Sequence, residues 1–212
     1  MLVGMWASVL GFALVAALLT ITPGIDTALV VRSTLQGGRR VGLWTSLGIC
    51  CGLIVWGLLS ALGVTAVVTA SRVAYDVLRL CGAAYLVYLG VRTLLASRRP
   101  DDSLRAVPAV QQRSGRAAFR TGMLNNLLNP KVGVFYLTLL PQFIPAGTTV
   151  LGVSVLLASV HFVEGVLWLS LMTLAVHHAS RLLRRASVRR TMERITGLVL
   201  LGFGARVALE RV

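Results

Sequence analysis

Six predominantly apolar runs, at roughly 5–31, 41–70, 73–96, 119–141, 149–177 and 190–209, leave this chain little choice of solvent. Several exceed the ~18–20 residues that carry a helix across the hydrocarbon layer. Charged residues make up 13% of the 212 positions, about half the share of a soluble domain. The expectation is an all-α, multi-pass membrane protein with six transmembrane helices. The first run, Leu2 to Ile21, lacks a basic leader and is too long for the apolar stretch of a secretory signal, so it reads as a retained first helix.

A net charge of +14 suggests nucleic acid at first sight. The cations, however, sit between the apolar runs, where Lys and Arg set membrane orientation. Arg32, Arg39 and Arg40 follow the first run, six arginines from Arg98 to Arg120 follow the third, and six from Arg181 to Arg194 follow the fifth. The segment Pro141–Thr149 carries no charge, and only Arg72 follows the second run. This alternation places the basic linkers in the cytoplasm and both termini outside, with lipid rather than nucleic acid as partner.

The polar, Pro-containing stretch from Arg98 to Arg116 divides the chain into a first three-helix half, 1–97, a cytoplasmic linker, 98–118, and a second half, 119–212. The halves share landmarks in the same order. Thr22-Pro23-Gly24 answers to Asn129-Pro130-Lys131, Gly52 and Trp56 to Glu164 and Trp168, and Gly90-Val91-Arg92 to Gly204-Ala205-Arg206. Three helices per half inverts the second half, which is the inverted-repeat pattern of secondary transporters.

The two proline steps are the most informative positions. Proline removes a donor and clashes with the carbonyl four residues earlier, and Thr-Pro or Asn-Pro also resembles a cap followed by a helix restart. Helices one and four are therefore expected to be broken. Thr22 lies ten residues before Arg32, so its break falls ~15 Å deep, near the midplane. Backbone N–H groups freed there suit a carboxylate such as that of an amino acid. Thr22, Pro23, Gly24, Asp26, Asn129, Pro130 and Lys131 are the candidate substrate-binding residues. Asp26 and Glu164, acids within the membrane, are the candidate proton carriers.

Other features carry less. Gly48-x-x-x-Gly52 permits close helix approach. Asp76 and Arg79 can neutralise each other on one helix face. Cys50, Cys51 and Cys81 lack metal-site spacing, and neighbouring cysteines rarely bridge. His161 and Glu164 form half of a carboxylate metal motif without a second copy, with His177 and His178 about four turns away. Trp56, Trp168, Tyr85, Tyr88 and Tyr136 read first as packing residues. Enzyme fingerprints are absent, so no catalytic residue, cofactor or metal is assigned.

The block Phe119-Arg-Thr-Gly-Met-Leu-Asn-Asn-Leu-Leu-Asn-Pro-Lys131, with Phe135 and Leu140-Pro-Gln-Phe143, resembles the signature of the LysE/RhtB amino-acid exporter family. Thr22-Pro-Gly-Ile-Asp26, Gly37-Gly-Arg-Arg-Val-Gly42 and Leu80-Cys-Gly-Ala-Ala-Tyr-Leu-Val-Tyr-Leu-Gly90 resemble its other motifs, and the ending from Gly197 to Arg206 also fits. The resemblance implies proton-coupled efflux of amino acids, of a neutral homoserine, threonine or leucine type, across the bacterial inner membrane; the sequence leaves open whether the chain acts alone or as a homo-oligomer. Ile25 stands where the family commonly has a second proline, and Leu53 where relatives often carry a polar residue. The competing readings are a divalent-cation transporter built on Asp26 and Glu164, and a membrane-embedded thiol or redox protein built on Cys50, Cys51, Cys81, His161 and Glu164.

Overall fold

The computed structural model describes residues 2–70, 114–176 and 186–209, with single helical positions between 77 and 95. Outside the described residues lie Arg72, Asp76, Arg79, Cys81, Tyr85, linker residues 98–113, and the segment 177–185 with His177 and His178. The described residues contain helices and no strand. They form α1 (Leu2–Ile21), α2 (Ile25–Ala70), α3 (Gly115–Leu127), α4 (Pro130–Val134), α5 (Val150–Leu174) and α6 (Ala186–Leu209). Two of these are long and apolar enough to cross a membrane, Ile25–Gly63 and Val150–Leu174, while Met5–Ile21 is shorter.

α2 is a helical hairpin rather than one rod. Gly38 adopts φ 78°, a left-handed conformation that favours glycine, and the chain reverses there. Ala28, Leu29 and Val30 of the first limb pack with Ile49 and Cys50 of the second, which a continuous helix would hold about 30 Å apart. Arg39 and Arg40, expected in a linker, therefore stand at a tight helical turn.

The exterior is apolar, and the interior mixes apolar clusters with polar side chains. Leu10, Leu14, Leu62 and Leu167 are each more than 60% exposed, whereas Thr27, Thr34, Thr45, Ser46, Asn126 and His161 are buried. Exposed leucines beside buried polar groups suit a chain surrounded by hydrocarbon. Thr34, Thr45 and Ser46 each donate to the carbonyl four residues back, which satisfies their hydroxyls without water.

Sequence boundaries shift at two places for local reasons. Ser114 accepts from the Ala117 N–H at 3.3 Å and caps α3, so that helix starts at Gly115 rather than 119. Beyond α4 the chain winds through a π turn, Phe135–Leu139, and a 3-10 turn, Leu140–Phe143. Pro141 has no N–H to return to Leu137, so an α-helix cannot run on through it.

One buried cluster joins Phe12, Val15, Ala16 and Leu19 of α1 to Phe135, Tyr136 and Leu139 of the irregular segment and to Leu157 of α5. A second joins both limbs of α2 to Leu169 of α5. The backbones of α2 and α3 touch, since a Cβ on Gly48 would meet the Phe119 carbonyl and one on Gly122 the Thr45 carbonyl. Two glycines thus seat α3 directly on the second limb of α2.

Candidate functional site

Both expected breaks are present, and they are built differently. At the first, α1 ends at Ile21 and α2 begins at Ile25. The expected capping role of Thr22 is not what the structure shows. Its hydroxyl donates back to the Leu18 carbonyl at 2.7 Å and bonds to Thr196 of α6. Pro23 and Gly24 separate Thr22 from the restart, and the Gly24 carbonyl accepts the first helical bond, from Ala28 at 2.9 Å. Among the described residues the N–H groups of Ile25, Asp26 and Thr27 meet no acceptor.

The second break closes on itself. Asn129 is the N-cap of α4, its side-chain oxygen accepting from the Lys131 N–H at 3.1 Å, with Pro130 in the first helical turn. The Asn129 carbonyl accepts from both Val132 and Gly133. Since Pro130 has no N–H, no amide in this first turn is left free for a ligand. Only the first break has the open amides that the sequence led one to expect at both.

The breaks are clasped together by their charged neighbours. Asp26, in the first turn of α2, accepts from the side-chain N–H groups of Asn125, Asn126 and Asn129 at 2.6, 3.1 and 2.9 Å. In return the Lys131 ammonium crosses to the end of α1 and donates to the carbonyls of Leu19 and Thr22 at 3.0 and 3.3 Å. Each break thus supplies the group that the other needs, a carboxylate at a helix N-terminus and a cation at a helix C-terminus. A Cβ on Gly24 would lie 3.9 Å from the Lys131 ammonium, so that cation stands beside the open amides.

These groups surround one cavity. Thr22, Gly24, Asp26, Asn126, Asn129 and Lys131 belong to its polar lining, and Leu19, Ile49 and Leu53 to its apolar lining. Its volume is about 50 Å³, room for a few water molecules and far below the roughly 300 Å³ at which small-molecule pockets begin. This is a closed arrangement in which the polar groups hold one another.

Sequence reasoning left Asn125 and Asn126 inside a family signature without a role. The available signal was three asparagines at i, i+1 and i+4 just before a break, all needing partners in lipid. It also valued His161 only as a metal ligand. The structure buries His161 between Thr20, 2.9 Å from Nε2, and the Tyr136 hydroxyl, 3.1 Å from Nδ1, with its ring stacked on Tyr136. Both ring nitrogens are occupied, and the imidazole ties α1 to the irregular segment beside the cavity.

The other candidates are dispersed. Glu164 is half-buried and lines a separate groove against α1. Cys50 is buried and Cys51 half-buried, both as free thiols. Trp56 donates to the Asn126 carbonyl at 3.3 Å and packs on Gly133, and so holds the second break from behind.

The chain matches the family model described as LysE type translocator over residues 17–211. It is 32% identical over 208 residues to the uncharacterized membrane protein YrhP of Bacillus subtilis, covering 96% of this chain and 99% of that one. It is also 32% identical over 206 residues to an uncharacterized membrane protein of Pseudomonas aeruginosa, covering 96% and 94%. No solved structure matches. With its lipid-facing exterior and polar clasp inside, the chain is a membrane protein and belongs to the LysE type translocator family.

Proposed function

We propose that the protein is a proton-coupled secondary exporter of neutral amino acids in the bacterial inner membrane, formed by two inverted three-helix halves, 1–97 and 119–212, joined by a cytoplasmic linker. The observation that carries this reading is the reciprocal clasp. It gathers a carboxylate, a cation and the open amides of Asp26 and Thr27 around one cavity at two helix breaks. A zwitterion needs those groups. Its ammonium is met by Asp26, held in place by three asparagines, and its carboxylate by Lys131 with the amides of Asp26 and Thr27. Asn129 and Pro130 serve by shaping the second break, and Thr22, Pro23 and Gly24 by keeping the first one open.

In the closed form Asp26 and Lys131 spend their charge on the protein itself. Substrate entering an opened cavity exchanges those bonds for its own, so binding loosens one break from the other, and that loosening is the alternating-access step. The coupling proton is assigned to Glu164, which has a buried carboxyl oxygen without a partner, while both oxygens of Asp26 accept hydrogen bonds. A divalent cation fits less well, because the Asp26 oxygens face N–H donors where a cation needs oxygens. The thiol reading loses its geometry too, since Cys50 is packed against Gly165 inside the core.

The test is efflux. Cells expressing the chain and control cells are loaded with dipeptides of neutral amino acids, and the amino acids appearing outside are measured. Expression should raise the release of at least one neutral amino acid, and Asp26→Asn should reduce that release at least tenfold while the protein stays in the membrane. Equal release from the Asp26→Asn variant would remove Asp26 from the mechanism.

A further inference from the structure

One hydroxyl at the central cavity is bonded differently from its neighbours. Thr22, Thr34, Thr45 and Ser46 each donate to the carbonyl four residues back. Among the described residues the Thr20 hydroxyl bonds only to Nε2 of His161, at 2.9 Å. Which of these two atoms gives the proton follows from the far side of the imidazole. The Tyr136 hydroxyl is wholly buried, and among the described residues its one hydrogen-bond partner is His161 Nδ1, at 3.1 Å. A phenol proton sealed in the core without an acceptor is costly, so Tyr136 donates to Nδ1. The imidazole hydrogen then stands on Nε2 and is donated to Thr20. The Thr20 oxygen accepts, and its own hydrogen is left over.

That hydrogen belongs to the central cavity. Thr20 and His161 both line the cavity, whereas His161 takes no part in the groove on the other side of Thr20. The hydroxyl, bonded to His161, therefore stands on the cavity side. Lys131 is close by, because its ammonium lies 3.0 Å from the carbonyl of Leu19, the residue before Thr20. The cation and the hydroxyl thus share one turn of α1, about 5.4 Å of helix axis. That span suits the few bonds between an amino acid's carboxylate and the end of a short side chain. An oxygen on the β or γ carbon of the substrate gives the Thr20 hydrogen its acceptor, and a methyl group in the same place leaves it unpaired.

We propose that Thr20 sets the side-chain preference of the site, donating a hydrogen bond to an oxygen on the substrate side chain, and that His161 and Tyr136 are positioning residues that fix the direction of this bond. The inference rests on the export reading and narrows it, from neutral amino acids at large to those with an acceptor oxygen in the side chain. Tyr136 is not among the residues lining the cavity and acts only through the imidazole. Its proton holds His161 in one tautomer, and that tautomer releases the Thr20 hydrogen.

The test measures two isosteric pairs in cells expressing the full chain, threonine against valine and homoserine against norvaline, each pair differing by a hydroxyl in place of a methyl. Cells are loaded with both members of a pair, and release above that of control cells is divided by the internal concentration. The parent should release the hydroxyl member of at least one pair about fivefold faster, the value of one neutral hydrogen bond. Thr20→Val should bring that ratio to about one, and Thr20→Ser should keep it. Tyr136→Phe should lower it at least twofold, whereas a loss of packing alone would slow both members together. A ratio near one in the parent would give the Thr20 hydrogen to the shared carboxylate and overturn the proposal. The parent's ratio persisting in Thr20→Val would overturn it too, as would release of other neutral amino acids but of neither pair. These results leave export standing; release of no neutral amino acid at all would remove the export reading and this inference with it. If Thr20→Val does not reach the membrane, the ratios of the parent and of Tyr136→Phe still decide.

Discussion

The two helix breaks answer to each other in sequence and differ in chemistry. The break at Thr22–Gly24 is held open by residues that do not cap it, and it leaves three amides open, two of them, on Asp26 and Thr27, at the cavity. The break at Asn129 is capped by its own side chain and carbonyl, and it contributes side chains instead: Asn129 toward Asp26, and Lys131 toward the end of α1. One break offers backbone and the other offers the groups that hold it. Two proline steps that match in sequence can thus divide the work between them.

The largest expected effect breaks the clasp from the second side. Lys131→Met removes two hydrogen bonds from a charged donor and strands the carbonyls of Leu19 and Thr22, at about 1.5–3 kcal/mol for each bond. Thermal unfolding in detergent should show a larger destabilisation than replacement of any one of the three asparagines around Asp26. A melting temperature equal to the parent's would mean that Lys131 does not join the breaks.

Asn129→Ala should come next. It loses the cap of α4, worth about 1 kcal/mol, and one donor to Asp26, worth about 1.5–3 kcal/mol. Asn125→Ala loses only a donor to Asp26, so its cost should be smaller by about the value of the cap. Denaturation of the pair measures that difference directly. Equal costs would show that the self-capping of the second break contributes nothing, and the contrast between the breaks would lose half its basis.

The sequence made the breaks, the acids and the glycine packing legible because each has a local cause. Proline cannot continue a helix through Pro23 or Pro130, and Gly48 tolerates a neighbouring backbone where a larger residue would not. The pairing across the molecule was not legible. Nothing near Asp26 in sequence indicates that its partners lie about a hundred residues away on α3, nor that Lys131 would turn from a carboxylate to carbonyls. Thr22 and Asn129 look like equivalent caps in sequence. The position of the restart separates them, at Ile25 in the first break and at the proline itself, Pro130, in the second.

The smallest expected effect is the most specific, because it changes one amide. Ile25 is the first residue of α2, where proline fits the helical backbone and its missing N–H breaks no internal bond. Ile25→Pro should therefore leave the melting temperature near that of the parent while removing the one open donor that stands outside the cavity. If a substrate carboxylate uses the cavity amides of Asp26 and Thr27, the half-saturation concentration for export should stay within about twofold of the parent's and the maximal rate should be unchanged. Export kinetics in inverted vesicles separate the two parameters. A rise of about fivefold in half-saturation, the loss of one bond worth about 1 kcal/mol, would mean that substrate reaches the start of α2 and that the first break offers all three of its amides.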